Sequence, residues 1–108
     1  MSGFALHPEA YRDIDEIRGY IAEDSPEAAD RVVNEIFDRL RLVAQFPDQG
    51  FRRPNLTPLP LRFIPVREYL IAYAPEKRPL WVVAVICGRR SPRAVSAILR
   101  GRGGYQNR

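Results

Sequence analysis

The sequence predicts a single α+β domain in which an N-terminal strand and an antiparallel helix hairpin pack on an antiparallel sheet. Two amphipathic stretches, each opened by a proline, fill the first half of the chain, and three apolar runs spaced like hairpins fill the second. The 108 residues are 45% hydrophobic, which is enough for one compact core. We therefore expect one domain over residues 1–100 and a disordered tail over residues 101–108.

The N-terminal segment predicts a short strand followed by a helix. Residues 3–7 alternate weakly, with Phe4 and Leu6 on one face of a strand. Pro8 suits the first position of a helix, because the amide at that position has no intrahelical partner. Apolar residues at spacings of three and four then predict a helix over residues 9–23.

A second start signal follows at once. Ser25 is a capping residue, Pro26 suits the first turn, and an apolar stripe of helical period predicts a helix over residues 27–45. Pro47 ends it. Because the connection between the two helices is so short, they must form an antiparallel hairpin.

The second half predicts a loop and an antiparallel meander. Residues 47–60 contain four prolines and no periodicity, so we expect a loop there. Three β-type runs with hairpin spacing follow, over residues 61–66, 69–73 and 80–87. Pro65 cannot donate to a strand ladder, which places the first of these strands at an edge or at a bulge.

A short C-terminal helix is predicted after the last strand, because Ser91 and Pro92 repeat the helix start signal. The helical stripes and the apolar strands together also predict the core. We expect it to contain Ile14, Ile17, Ile36, Leu40, Tyr73, Val83 and Val85.

Charge divides the chain after Gly50. Residues 1–50 hold five arginines against eleven acidic residues, a net charge of −6, whereas residues 51–108 hold twelve basic residues against two, a net charge of +10. Sixteen of the seventeen basic residues are arginine, whose planar fork matches phosphate or carboxylate. This pattern favours a binding role toward nucleic acid or an acidic protein segment.

Seven residues of the basic half form the candidate binding site. We expect them to share the sheet face opposite the helices, where arginine beside tyrosine can grip an anionic partner. They are Arg52, Arg53, Arg62, Arg67, Tyr69, Arg89 and Arg90. A solvated sheet face is the alternative interpretation of the same residues.

Catalytic and metal chemistry have little support. One histidine and one cysteine lie far apart, so no metal-ligand spacing exists, and neither a metal nor another cofactor is expected. We expect His7 to serve helix entry and Cys87 to be a small buried side chain. Without a nearby histidine, proton transfer would fall to Glu68 or to tyrosines of lowered pKa beside the arginines, namely Tyr69, Tyr73 or Tyr105. No catalytic residue is therefore assigned.

No apolar run approaches the ~20 residues that cross a bilayer, and the first residues lack the pattern of a signal peptide. A lone cysteine forms no internal disulfide. We expect a cytoplasmic protein without a membrane partner.

The order of these elements resembles the toxins of the RelE/ParE family, and four segments carry the resemblance. They are FALHPEAYRDIDEIRGYIAEDSPEAADRVVNEI, LVAQFPDQGFRRPNL, PLRFIPVREYLIAY and VVAVICGRRSPRAVSAIL. The resemblance implies a small toxin that is encoded with an antitoxin, whose C-terminal segment wraps and silences it in a hetero-oligomer. Arg62, Arg89 and Arg90 match basic positions of the family.

Within this family the chain is more similar to the ParE-like members, which poison DNA gyrase, than to the RelE-like members, which cut mRNA in the ribosome. A Ser91-Pro92 helix follows its last strand, and Cys87 stands where many relatives have histidine. The resemblance therefore implies a gyrase-directed toxin without catalysis. The alternatives are a ribosome-dependent mRNA endoribonuclease and a non-toxic binding module of the same fold.

Overall fold

The structure is a computed structural model that describes residues 3–103. Three α-helices and five strands follow one another in the described part. In chain order these are β1 (Phe4–Leu6), α1 (Pro8–Ala22), α2 (Pro26–Gln45), a 3-10 turn (Pro47–Gln49), β2 (Phe51–Arg52), β3 (Arg62–Val66), β4 (Tyr69–Ala74), β5 (Leu80–Cys87) and α3 (Pro92–Gly101). The α+β class, the helix hairpin and the short C-terminal helix are confirmed.

The helices begin where the sequence signals place them. Ser25 Oγ accepts a hydrogen bond from the Ala28 amide at 3.1 Å, and Ser91 Oγ accepts one from the Ala94 amide at 3.2 Å. His7 Nδ1 accepts from the Glu9 amide at 3.0 Å, so the imidazole caps α1. Each cap satisfies an amide that has no partner inside the helix. The helix-entry role predicted for His7 is confirmed.

The five strands form one mixed sheet in the order β1-β5-β4-β3-β2. Strands β2 to β5 are antiparallel to their neighbours, whereas β1 pairs with β5 in parallel, with Phe4 opposite Leu80. The expected sheet was antiparallel throughout. The local sequence pattern does not predict this pairing, because β1 and β5 are far apart in the sequence. Strand β2 pairs only with Arg62 and Phe63, so Pro65 lies where β3 forms an edge, as predicted.

Both faces of the sheet are covered, each by a different apolar cluster. Helices α1 and α2 cover one face, with Ile14, Ile36 and Leu40 packed against strand residues such as Val82. On the other face, α3 and residues 53–61 cover a second cluster that includes Phe63, Val83 and Leu99. All seven predicted core residues are buried.

The second cluster corrects the expectation of an open cationic sheet face. Strand β5 is apolar on both sides, so burying it removes water from both faces of the sheet. Arginines could not remain on either face without large desolvation costs. They lie instead on turns and at the ends of strands.

The predicted loop after α2 contains a turn held by a buried tyrosine. Tyr73 Oη accepts from the Gly50 amide at 2.9 Å and donates to the Pro47 carbonyl at 2.7 Å. A Cβ on Gly50 would lie 2.6 Å from this hydroxyl and 2.8 Å from the Phe63 carbonyl. Glycine is therefore required here by close approach. Arg52, expected on a loop, belongs to the short strand β2.

The end of α3 overlaps the expected tail. Helix α3 continues to Gly101, and Arg102 forms a largely buried ion pair with Asp13 of α1, with 2.6 Å between Nη1 and Oδ2. Gly101 and Arg102, which the sequence placed in the expected tail, are therefore held to the domain. Tyr105 and the rest of residues 104–108 lie outside the described residues.

Candidate functional site

Five of the seven predicted site residues line one groove of about 490 Å³. The groove lies between residues 53–56, the β3-β4 turn and the β5-α3 connection, and Leu56, Leu70 and Val95 form part of its apolar wall. We call it the arginine groove. The predicted residues that it brings together are Arg53, Arg67, Tyr69, Arg89 and Arg90.

Two turns hold these side chains close together. The Gly88 amide donates to the Glu68 carbonyl at 2.7 Å, which ties the β5-α3 connection to the β3-β4 turn. Arg89 and Arg90 follow Gly88 directly, and both are exposed. Across the groove Arg53 is exposed as well. Among residues 3–103 none of these three arginines forms an ion pair, although Glu68 also lines the groove.

Arg67 differs from the other groove arginines because it already binds a carboxylate. Its Nε and Nη2 donate to the two oxygens of Glu35 on α2, at 2.6 and 2.8 Å. This hydrogen bond lowers the pKa of Glu35 and raises that of Arg67. Arg67 is also the first residue of a two-residue hairpin turn and has φ 54°, a left-handed conformation that favours glycine.

Tyr69 lies at the base of the groove and is only 6% exposed. Burial raises the pKa of its phenol, and the negative charge of Glu68 raises it further. Burial also raises the pKa of Tyr73. The lowered pKa that proton transfer by Tyr69 or Tyr73 would need is therefore not found, because desolvation of the phenolate is the larger effect.

Arg52 and Arg62 do not belong to the arginine groove. Arg62 lies at the opposite end of β3 from Arg67, where Nη1 donates to the Gly50 carbonyl at 2.7 Å. Its Nε also lies 3.8 Å from Asp48 Oδ1. Arg62 thus supports the turn after α2. Arg52, its cross-strand neighbour, is exposed.

A second groove of about 450 Å³ adjoins the first and shares Glu68, Tyr69, Arg89 and Arg90 with it. Its far wall comes from α1, through side chains that include Glu16 and Tyr20. The sequence did not predict these residues as part of a site, because the polar positions of an amphipathic helix are ordinarily expected to face solvent. Cys87, expected to be buried, is a half-buried free thiol in this groove, since it ends β5 where the sheet meets solvent.

The sole histidine lies elsewhere. His7 caps α1 next to the Trp81 ring, with 6.0 Å between ring centroids, and lines neither groove. Burial lowers its pKa, and the charge of Arg102 lowers it further. Residues 3–103 contain no group of three or more His, Cys, Asp or Glu side chains placed to hold a metal ion. In the same part of the chain, no helix is long and apolar enough to cross a membrane.

Comparison with known proteins identifies the family. The model of the ParE toxin of the type II toxin-antitoxin system parDE matches residues 4–92. This chain belongs to the ParE toxin family. A chain from a solved structure described as the chromosomal ParDE toxin-antitoxin system from P. aeruginosa has the same fold, with a TM-score of 0.66 and 20% identity over 81% of this chain and 96% of that chain. No curated protein matches. The chain is a ParE-type toxin of a type II toxin-antitoxin system.

Proposed function

We propose that this ParE-type toxin inhibits DNA gyrase by binding it, and that the C-terminal segment of its cognate antitoxin neutralises it by occupying the arginine groove. The proposal rests on three exposed arginines, Arg53, Arg89 and Arg90, which surround an apolar wall and form no ion pair with any other residue of the described range 3–103. Such a groove complements an acidic segment with apolar side chains. Both partners belong to the cytoplasm, where we expect the toxin to act.

The chemistry of the groove favours binding over phosphodiester cleavage. Cleavage by a 2′-hydroxyl needs a base and an acid, which together with positioned cations supply the rate. Glu68 is an exposed carboxylate beside the groove, but no histidine lines the groove with it, and the raised pKa of Tyr69 keeps its phenol protonated at neutral pH. Arginine, with a pKa above ~12, is a poor proton shuttle. The groove is therefore suited to holding an anionic partner.

A paired assay on one preparation tests the target. We expect the purified toxin to inhibit gyrase supercoiling and to leave mRNA on programmed ribosomes intact. Codon-dependent mRNA cleavage with unchanged supercoiling would instead establish the ribosome-dependent endoribonuclease. Inactivity in both assays, together with tight antitoxin binding, would establish a binding module without toxicity.

A matched pair of double variants tests the site. Replacing Arg89 and Arg90 by alanine is expected to weaken antitoxin binding about tenfold or more, because two charged contacts are lost. Replacing Arg93 and Arg100 by alanine removes the same charge from exposed positions of α3 outside both grooves. Equal losses in the two double variants would contradict the groove as the site.

A further inference from the structure

Arg67 stands between two clefts of different charge. On one side lies the arginine groove, and on the other lies a cleft of about 280 Å³ between α2 and β3, lined in part by Glu35, Asp38, Arg39 and Leu42. In the unbound toxin the Arg67 guanidinium is held on the second side by its two hydrogen bonds to Glu35. One of the four arginines of the groove is therefore engaged by the toxin's own carboxylate.

The ion pair between Arg67 and Glu35 can open readily. The Arg67 and Glu35 side chains are 50% and 44% exposed, so water can replace either partner at little cost. A buried pair could not open in this way, because it would leave an uncompensated charge behind. The bidentate geometry matches the one that any other carboxylate would adopt on the same guanidinium.

We propose that Glu35 is an internal competitor for the partner: when an acidic peptide segment binds the arginine groove, one of its carboxylates replaces Glu35 on Arg67. This inference rests on the proposed function of the groove and adds its regulation. Arg53, Arg89 and Arg90 attract the segment, and Arg67 joins them after it leaves Glu35. The strength of the internal pair then sets the affinity of the groove.

The occupant is an acidic peptide rather than a nucleic acid. Single-stranded nucleic acid binds where bases stack on exposed aromatic rings. Among residues 3–103, Tyr69 is the aromatic side chain that lines the arginine groove, and at 6% exposure it offers little ring surface. Leu70, which is only partly buried, offers an apolar contact to an aliphatic side chain instead. The carboxylate of Glu35 on Arg67 already shows the ligand chemistry.

Fluorescence anisotropy tests the competition, with a fluorescein-labelled synthetic peptide of alternating glutamate and leucine as the probe. Glu35→Gln is expected to tighten binding about 2- to 5-fold, the range that an exposed ion pair represents. Asp38→Asn is the matched control: it lines the same cleft and removes the same charge, but Asp38 pairs with Arg41 at 2.6 Å. It should change affinity by less than about 1.5-fold. When Arg67 is also replaced by alanine, Glu35→Gln and Asp38→Asn should have the same effect on the affinity for the peptide.

The outcomes separate this inference from the proposed function. Equal tightening by Glu35→Gln and Asp38→Asn would overturn the competition, since general charge removal would explain it. If replacement of Arg53, Arg89 and Arg90 by alanine weakens binding but Glu35→Gln does not tighten it, only the inference fails. If that triple variant binds the peptide as the wild type does, both fail. Tighter binding of labelled oligothymidylate, selectively enhanced by Glu35→Gln, would overturn the peptide as ligand class.

Discussion

Two groups of arginines in the basic half of this toxin differ in a way that the sequence does not show. Arg62 and Arg102 have side chains that are 28% and 13% exposed and hold parts of the fold together through carbonyl and carboxylate partners. Arg53, Arg89 and Arg90 are exposed and form no ion pair among the described residues. Arg67 is intermediate, since its ion pair is half exposed. Burial and partners, rather than residue type, separate structural arginines from binding arginines.

The largest effect is expected from Arg102→Ala. Arg102 donates two hydrogen bonds to Asp13 and a third to the Val83 carbonyl, so it joins the C-terminal end of α3 to α1 and β5. Its removal leaves the Asp13 carboxylate largely buried without its counter-ion, which we expect to lower the free energy of unfolding by about 3 kcal/mol or more. Urea denaturation measures this loss.

Arg100→Ala is the control for Arg102→Ala, because Arg100 is exposed in the last turn of α3 and forms no ion pair within residues 3–103. It should change stability by less than about 0.5 kcal/mol. Similar small losses in both variants would show that the buried pair does not hold α3 in place.

A smaller effect is expected from Arg62→Ala. The variant loses a charge-assisted hydrogen bond to the Gly50 carbonyl, which should cost about 1–2 kcal/mol in urea denaturation. Arg52→Ala is the matched control on the neighbouring strand. Because Arg52 and Arg62 lie directly opposite each other, removing Arg52 relieves like-charge repulsion and should leave stability unchanged or slightly higher. A larger loss of stability for Arg52→Ala than for Arg62→Ala would contradict the structural role assigned to Arg62.

Backbone strain at Arg67 predicts an unusual order of substitutions. Arg67→Ala and Arg67→Gly both lose the contact with Glu35, so their difference reports the left-handed φ alone. The glycine variant should have the higher midpoint of thermal unfolding, because glycine adopts this conformation without a Cβ clash. At Glu68, the next residue, φ is not positive, so Glu68→Ala should be more stable than Glu68→Gly. The same order at both positions would contradict the strain.

The smallest effect concerns pH. The folded-state pKa of His7 lies below its ordinary value of 6.5, through burial first and the charge of Arg102 second, while Glu9 and Asp13 oppose the shift. The unfolded chain therefore binds the proton more readily than the folded chain. The contribution of His7 to the free energy of unfolding is complete above pH 6.5 and is lost as pH falls through the lowered pKa. His7→Asn keeps a capping acceptor without a titrating group. Its stability should fall less than that of the wild type between about pH 7 and 5.

Much of the fold was predictable because its signals are local. Ser25, Pro26, Ser91 and Pro92 mark helix starts through backbone groups one turn away, and the apolar stripes mark the buried faces. The sheet face opposite the helices was expected to carry the arginines rather than an apolar cover. The apolar residues of segment 53–61 and of α3 do not by themselves indicate that the two segments pack together on that face.

The candidate site was predictable only in part. Sequence alone determined the residue types: sixteen arginines, concentrated after Gly50 and accompanied by tyrosine, in an order of elements that matches the ParE family. Tertiary structure decided which arginines meet at the groove, that Arg62 and Arg102 serve the fold, and that Glu35 engages Arg67. The physical reason is that charge and capping act through the residue itself, whereas burial, counter-ions and pKa shifts depend on neighbours that folding brings from distant parts of the chain.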